Sequence, residues 1–224
     1  MTVTVVVADD DPLVRTGVGM LLRSAPDLAV VGEAADGAAA VELVRRDRPD
    51  IVVMDLRMPG TDGTAATRAI TADRADDPDL LTRVLVLTTF HDDDAVYGAL
   101  RAGASGYLLK HAAPADLVPA VRRVAAGDAW LDPAVASRVI AALVATDPDR
   151  DDPPQLLARL TAREREVLTL MAHGRSNDEI AAGLVLSGAT VRTHVNRILM
   201  KTGTGNRTNA VILAFRSGLV DPRR

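Results

Sequence analysis

Ile51-Val52-Val53-Met54-Asp55-Leu56-Arg57-Met58-Pro59-Gly60 is the stretch on which the reading of this chain turns. Four apolar residues, three of them β-branched, run without a break into a single carboxylate, and Pro59 and Gly60 then force a loop. The pattern predicts a buried strand that delivers Asp55 to an open edge. In a parallel α/β sheet, ligands bind in the crevice outside the carboxyl ends of the strands, so a charged residue placed there is a candidate for chemistry. Taken by itself, Asp55 reads equally well as the start of a turn, a common place for aspartate.

The flanking sequence repeats the theme. Residues 2–8 form a β-branched apolar run that ends in Asp9-Asp10-Asp11, and Pro12 suits the first turn of a helix through Val14, Val18, Leu21 and Leu22. Strands follow at 28–34, 84–88 and 106–109, and helices at 38–46 (Ala40, Leu43 and Val44 inward), 64–72, 92–102 and 114–126, with a polar insert at 76–79. Five βα units predict an α/β fold: a doubly wound, five-stranded parallel sheet of flavodoxin-like order 2-1-3-4-5.

Trp130 and the apolar positions of residues 133–144 predict one further helix. Residues 146–154, almost entirely proline and aspartate, read as a linker. Beyond Thr161 the pattern is purely helical, which predicts a second, all-α domain. Thr161 and Glu164 have capping-box spacing; Asn177, Ser187 and Asn206 are read as caps of helices 177–184, 188–201 and one ending at Gly218. The expected division is 1–126, a connecting helix and linker over 127–158, and 159–224.

Composition narrows the function classes. A chain of 224 residues with 48% apolar and 25% charged residues is ordinary for a globular protein. The lack of cysteine excludes disulfides, thiolate zinc sites and cysteine nucleophiles. No apolar run approaches eighteen residues and no signal peptide is evident, so a cytoplasmic protein with no membrane partner is expected. Residues 1–158 carry 15 Lys+Arg against 25 Asp+Glu, whereas 159–224 carry 11 against 5. An acidic first part joined to a basic second part points to nucleic-acid contact by the latter. Of 26 basic residues only Lys110 and Lys201 are lysine, so lysine is retained where its chemistry is required.

The polar residues of the first part fall at strand ends: Asp9 and Asp10 after the first, Asp55 after the third, Thr88 after the fourth, Lys110 after the fifth. Strands one and three are neighbours in the expected order, about 4.8 Å apart, which brings three carboxylates together. Like charges about 4 Å apart cost roughly 4 kcal/mol at an effective dielectric near 20, so the cluster calls for a cation, and hard oxygen ligands suit Mg²⁺. Asp55 then becomes a nucleophile toward a phosphoryl group, with the Thr88 hydroxyl and Lys110 ammonium reading the product.

The segments VVVADDDPLVR, VVMDLRMPGTDG, VLVLTTF and GASGYLLK resemble the receiver domains of two-component response regulators over roughly residues 3–126. The resemblance implies phosphorylation of Asp55 by a cognate sensor histidine kinase. It implies Mg²⁺ held by Asp10, Asp55 and the Arg57 carbonyl with Asp9 assisting, a switch pair of Thr88 and Tyr107, and Lys110 as the family's lysine.

In the second part, two short helices joined through Leu184-Val185-Leu186-Ser187 have helix-turn-helix spacing. On the second of them Val191, Val195, Ile198 and Leu199 face inward, leaving Arg192, Thr193, Asn196, Arg197 and Lys201 outward. Arg and Asn suit base edges, and Thr190, His194, Arg197 and Lys201 suit phosphates of double-stranded DNA. The stretch LTAREREVLTLMAHGRSNDEIAAGLVLSGATVRTHVNRILMKTG resembles the LuxR-type helix-turn-helix and, with the receiver, the NarL/FixJ family of response regulators. That resemblance implies base-proximal contacts at Arg192, Thr193 and Asn196, and a homodimer face on the last helix at Val211, Leu213 and Ala214. Residues 202–206 depart from the family pattern, which predicts looser packing and one missing phosphate contact there.

The expected function is transcriptional control through Asp55 phosphorylation, without enzymatic turnover. One rival is an aspartate-nucleophile phosphatase, but Arg57 stands where such enzymes carry a second acid. The other is a regulator that is never phosphorylated, against which the complete set of site residues argues. His91, His111 and His173 lack metal-ligand spacing, and Glu164 and Glu166 read as capping and helix-face charges.

Overall fold

A β-branched run is stiff at χ1 and packs well on a pleated surface. In the computed structural model, which describes residues 2–77, 80–89, 93–132 and 153–220, such runs become β1 (Val3–Ala8), β2 (Leu28–Ala34), β3 (Ile51–Met54), β4 (Arg83–Thr88) and β5 (Gly106–Leu109). Between them lie α1 (Pro12–Arg23), α2 (Gly37–Asp47), α3 (Gly63–Asp76), α4 (Asp93–Ala102) and α5 (Ala113–Ala125). All paired strands are parallel, in the order β2-β1-β3-β4-β5-β6.

The sixth strand corrects the expected five. β6 (Trp130–Leu131) pairs with β5 through Gly106↔Trp130 and Tyr107↔Leu131, and Asp132 N donates to Tyr107 O at 2.9 Å. Two residues are too few to show an alternation, so the sequence gives no strand signal there. The chain divides into two compact units, Met1–Ala136 and Ser137–Arg224. The helix expected over 133–144 lies outside the described residues.

Successive strand residues point to opposite faces, and both faces of this sheet are covered. Val5, Val7, Ile51, Val53, Leu85 and Leu87 form one core with Val18 and Leu22 of α1 and Leu117, Val121 and Val124 of α5. The alternate residues Val6, Val52, Met54, Val84 and Val86 are equally buried on the other face. In α1 the expectation was off by one position, since Leu21 is partly exposed and Gly19 is buried instead. Aspartates cap the helices that start near the strand ends: Asp11 accepts from Leu13 N at 2.8 Å, Asp36 from Ala39 N at 2.9 Å, and Asp62 from Ala65 N at 2.7 Å.

The second unit holds α6 (Pro153–Ala158), α7 (Ala162–Ala172), α8 (Asn177–Leu184), α9 (Gly188–Thr202) and α10 (Arg207–Arg216). Pro153 and Pro154, read as linker, open α6 instead, where a missing N–H costs nothing. Thr161 forms the expected capping box with Glu164, and Ser187 and Asn206 cap as expected. Ser176, not Asn177, caps α8: its hydroxyl accepts from Glu179 N at 3.2 Å while its own N–H donates to Glu179 Oε2 at 2.8 Å. Val167, Leu168, Met171, Ile180, Val191, Val195, Ile198, Ala210 and Ala214 build one core from α7 to α10. Among the described residues no helix is long and apolar enough to cross a membrane.

Candidate functional site

Sheet register assembles the first site. Ala8 pairs with Met54, so Asp9 and Asp55 are the next residues out of β1 and β3, and Asp55 N donates to Ala8 O at 2.8 Å. Thr88 pairs with Leu109, which places Lys110 one residue beyond, with its N–H on Thr88 O at 2.9 Å. The Lys110 ammonium then lies 2.7 Å from Asp9 Oδ2 and 2.8 Å from Asp55 Oδ2. Asp55 Oδ1 accepts from Leu56 N at 2.7 Å, and Asp9 Oδ1 from Asp11 N at 3.1 Å.

Asp9 and Asp55 are buried and Asp10 is exposed, yet one ligand oxygen from each of the three lies within 4.8 Å of the others. Burial pushes the Asp9 carboxyl above the ordinary carboxylate range, although the hydrogen bond and charge of Lys110 oppose this. Burial works against the charged form of Lys110, but its hydrogen bonds to Asp55 and Asp9 hold its pKa above the ordinary lysine value. One cation therefore serves two buried carboxylates, and the cluster keeps an excess of negative charge. A cleft of about 520 Å³ opens beside it, lined by Asp10, Arg57, Asp62 and Thr64 among others.

Thr88 is fully buried at the end of β4, and Tyr107 is fully buried on β5. Two further residues of the site gave no recognisable signal in the sequence. Gly63 N donates to Leu56 O at 2.9 Å, and a Cβ at Gly63 would stand 1.9 Å from Asp55 O. Arg15 Nη1 donates to Asp9 O at 2.5 Å.

The second site lies on α9. Val191, Val195 and Ile198 are buried and Leu199 half-buried, while Arg192, Thr193, Arg197 and Thr190 are exposed and Asn196 and His194 half-buried. The Thr193 hydroxyl donates to Ala189 O at 3.0 Å, and those of Thr190 and Ser187 share a 2.8 Å hydrogen bond at the helix start. His194 Nδ1 is buried without a hydrogen-bond partner. Lys201 is set apart from this stripe, because its ammonium contacts both Glu164 oxygens, at 2.9 and 2.7 Å.

Two expectations for this unit are corrected. On α10, Ala214 is part of the core and Leu213 is buried, so neither is open to a second copy; Val211 alone of the three is half-buried. Nor are residues 202–206 loosely packed. The buried Thr202 hydroxyl donates to Ile198 O at 2.7 Å, Gly203 ends the helix at φ 67°, and Asn206 is 1% exposed. Arg207, which the sequence did not single out, is buried, with Nη1 donating to Asn177 Oδ1 at 2.9 Å and Nη2 to Arg175 O.

A doubly wound sheet with an acidic strand-end cluster, followed by a helix-turn-helix, defines a receiver joined to a DNA-binding unit. Residues 5–122 match the response regulator receiver domain, and residues 158–214 match the bacterial regulatory proteins of the luxR family. The chain belongs to the two-component response regulators of NarL/FixJ type, with a receiver and a LuxR-type DNA-binding domain. It is 38% identical over 221 residues to the transcriptional regulatory protein LiaR of Bacillus subtilis, covering 98% of this chain and 100% of LiaR. The crystal structure of response regulator ChrA, of a heme-sensing two-component system, is 37% identical with a TM-score of 0.52, covering 98% of this chain and 99% of that one. A structure of two RcsB dimers bound to two parallel DNAs is 26% identical with a TM-score of 0.54, covering 98% of this chain and 100% of that one.

Proposed function

We propose that Asp55 accepts a phosphoryl group from a sensor histidine kinase and that the modified receiver controls binding of α9 to promoter DNA. The observation that carries this reading is the Lys110 ammonium held between Asp55 and Asp9 beside the exposed Asp10. In the transfer, an oxygen of Asp55 bonds to phosphorus as the P–N bond of the phosphohistidine breaks, and the imidazole leaves with a proton taken up. Lys110 is already within reach of the new phosphate, and Thr88 and Tyr107 are the residues we assign to the switch. The added charge of about −1.5 to −2 falls beside them and biases the β4–α4 and β5–α5 surfaces.

The donor set fits a hard divalent cation, since the three carboxylates converge and one ammonium leaves them under-compensated. Asp9, Asp10 and Asp55, with the Arg57 carbonyl, are the residues we assign to Mg²⁺, which when bound supplies charge compensation for phosphoryl oxygens. Arg57 in place of a second acid favours a persistent mark over turnover, and the protein is read as a cytoplasmic regulator without enzymatic activity of its own.

On α9, Arg192, Thr193 and Asn196 are assigned to base edges and Thr190, His194 and Arg197 to phosphates. Phosphorylated receivers pair two copies, which sets two recognition helices one DNA turn apart, and Val211 is the part of the α10 surface left for such pairing. The functional division follows the expected boundaries, with residues 1–126 as receiver and 159–224 as DNA-binding domain. The test is intact mass after treatment with a small acyl phosphate and Mg²⁺. Wild type gains one phosphoryl group and Asp55→Asn gains none; an unmodified wild type contradicts the reading.

A further inference from the structure

Lys201 lies on the recognition helix, and its position in the sequence suits a DNA phosphate. Its surroundings point elsewhere. Glu164, at the start of α7, is 2% exposed, and the Lys201 ammonium contacts both of its carboxylate oxygens, at 2.9 and 2.7 Å. The same carboxylate accepts from Thr161 N at 2.8 Å, which closes the capping box of α7. Burial works against its charge, yet the hydrogen bonds from Lys201 and Thr161 hold the Glu164 carboxyl below the ordinary range.

Were Lys201 to turn toward a phosphate, that carboxylate would be left buried without its cation. Such a loss outweighs what one exposed phosphate contact returns, most of which is counterion release that salt weakens. The two lysines of the chain are thus used alike, each as a compact ammonium bound to a buried carboxylate.

We propose that Lys201 is a positioning residue that, through Glu164, locks the C-terminal end of the recognition helix to α7, and that it makes no DNA phosphate contact. The inference rests on the reading of α9 as a DNA-binding helix. By fixing α9 at one end, the pair sets the angle at which Arg192, Thr193 and Asn196 meet the bases. Arg197, exposed on the outer stripe and free of any such carboxylate contact among the described residues, is the phosphate cation at this end of the helix.

The experiment uses the full chain, phosphorylated, and a duplex selected by wild type from a random-sequence pool. Affinity is measured against salt for wild type, Lys201→Met, Arg197→Ala and the double variant Glu164→Gln/Lys201→Met. Arg197→Ala lowers the salt slope by about one. Lys201→Met loses about tenfold in affinity, the scale of coupling between residues in contact, with the slope unchanged, and the double variant recovers most of that loss. Should Lys201→Met fail to fold, the double variant makes the comparison alone, with the slope of wild type as the expected result. A slope lowered by about one in either variant, as for Arg197→Ala, overturns the positioning role while leaving DNA binding intact. A wild type that selects no duplex overturns the DNA reading, and this inference with it.

Discussion

Lys110 Nζ stands 2.8 Å from Asp55 Oδ2, and the same ammonium reaches Asp9 Oδ2 at 2.7 Å. Removing that charge while keeping the stem, as in Lys110→Met, leaves two buried carboxylates uncompensated and costs about 3 kcal/mol in metal-free buffer. Mg²⁺ then stabilises the variant more than it stabilises wild type. Thermal unfolding with and without Mg²⁺ checks this, and equal responses would argue against a shared electrostatic task.

Gly63 sets the distance between the α3 start and the phosphoacceptor strand. An alanine methyl there would stand 1.9 Å from Asp55 O, which is backbone and cannot turn aside. Gly63→Ala is expected to cost about 3 kcal/mol or more and to reduce phosphoryl labelling of Asp55. Gly60, at φ +72° with open space around its would-be Cβ, loses only about 1 kcal/mol on substitution by alanine. Denaturant unfolding of the two variants separates steric blockage from backbone strain.

How much of this was legible in the sequence depended on the length over which each feature is written. Asp9, Asp55, Thr88 and Lys110 could be placed because each ends a strand run of at least four residues, and β1–β3 pairing brings two of those ends side by side. β6 has two residues and no period. Gly63 was invisible because its importance lies in a tertiary approach to Asp55 rather than in a local turn. Ser176 and Asn177 are both good caps by type; what decides between them is the Arg207 guanidinium, which draws Asn177 into the core. For Leu213 and Ala214 the helical period gave a face, but packing on α7 turned that face inward.

The Glu164 carboxyl titrates below its ordinary value of 4.5 in the folded protein, despite burial, because Lys201 and Thr161 hydrogen-bond its charged form. A depressed folded pKa adds stability that is fully present above the unfolded value and is lost as pH falls through the folded one. Glu164→Gln is therefore less stable than wild type at pH 7, and the gap closes as pH drops below about 4.5. Melting both proteins between pH 7 and 3 checks the sign; a gap independent of pH would mean that packing, not charge, is what Glu164 contributes.

Val185 ends α8 at φ 55° with 92% of its surface exposed, so a β-branched residue sits in the left-handed region with almost no packing in return. Val185→Gly is expected to stabilise the protein by about 1 kcal/mol. A loss of stability on equilibrium unfolding would show that this turn is held by contacts of the valine side chain.

The central claim is that a phosphoryl group on Asp55 is read out at α9. Its most direct test is the affinity of the full chain for a duplex selected by wild type from a random-sequence pool, measured before and after treatment with acyl phosphate and Mg²⁺ at one salt concentration. Affinity is expected to rise about tenfold or more in wild type, within the usual range of allosteric coupling, and to stay unchanged in Asp55→Asn. An equal rise in Asp55→Asn, or no change in a wild type whose mass shows the added phosphoryl group, would contradict it.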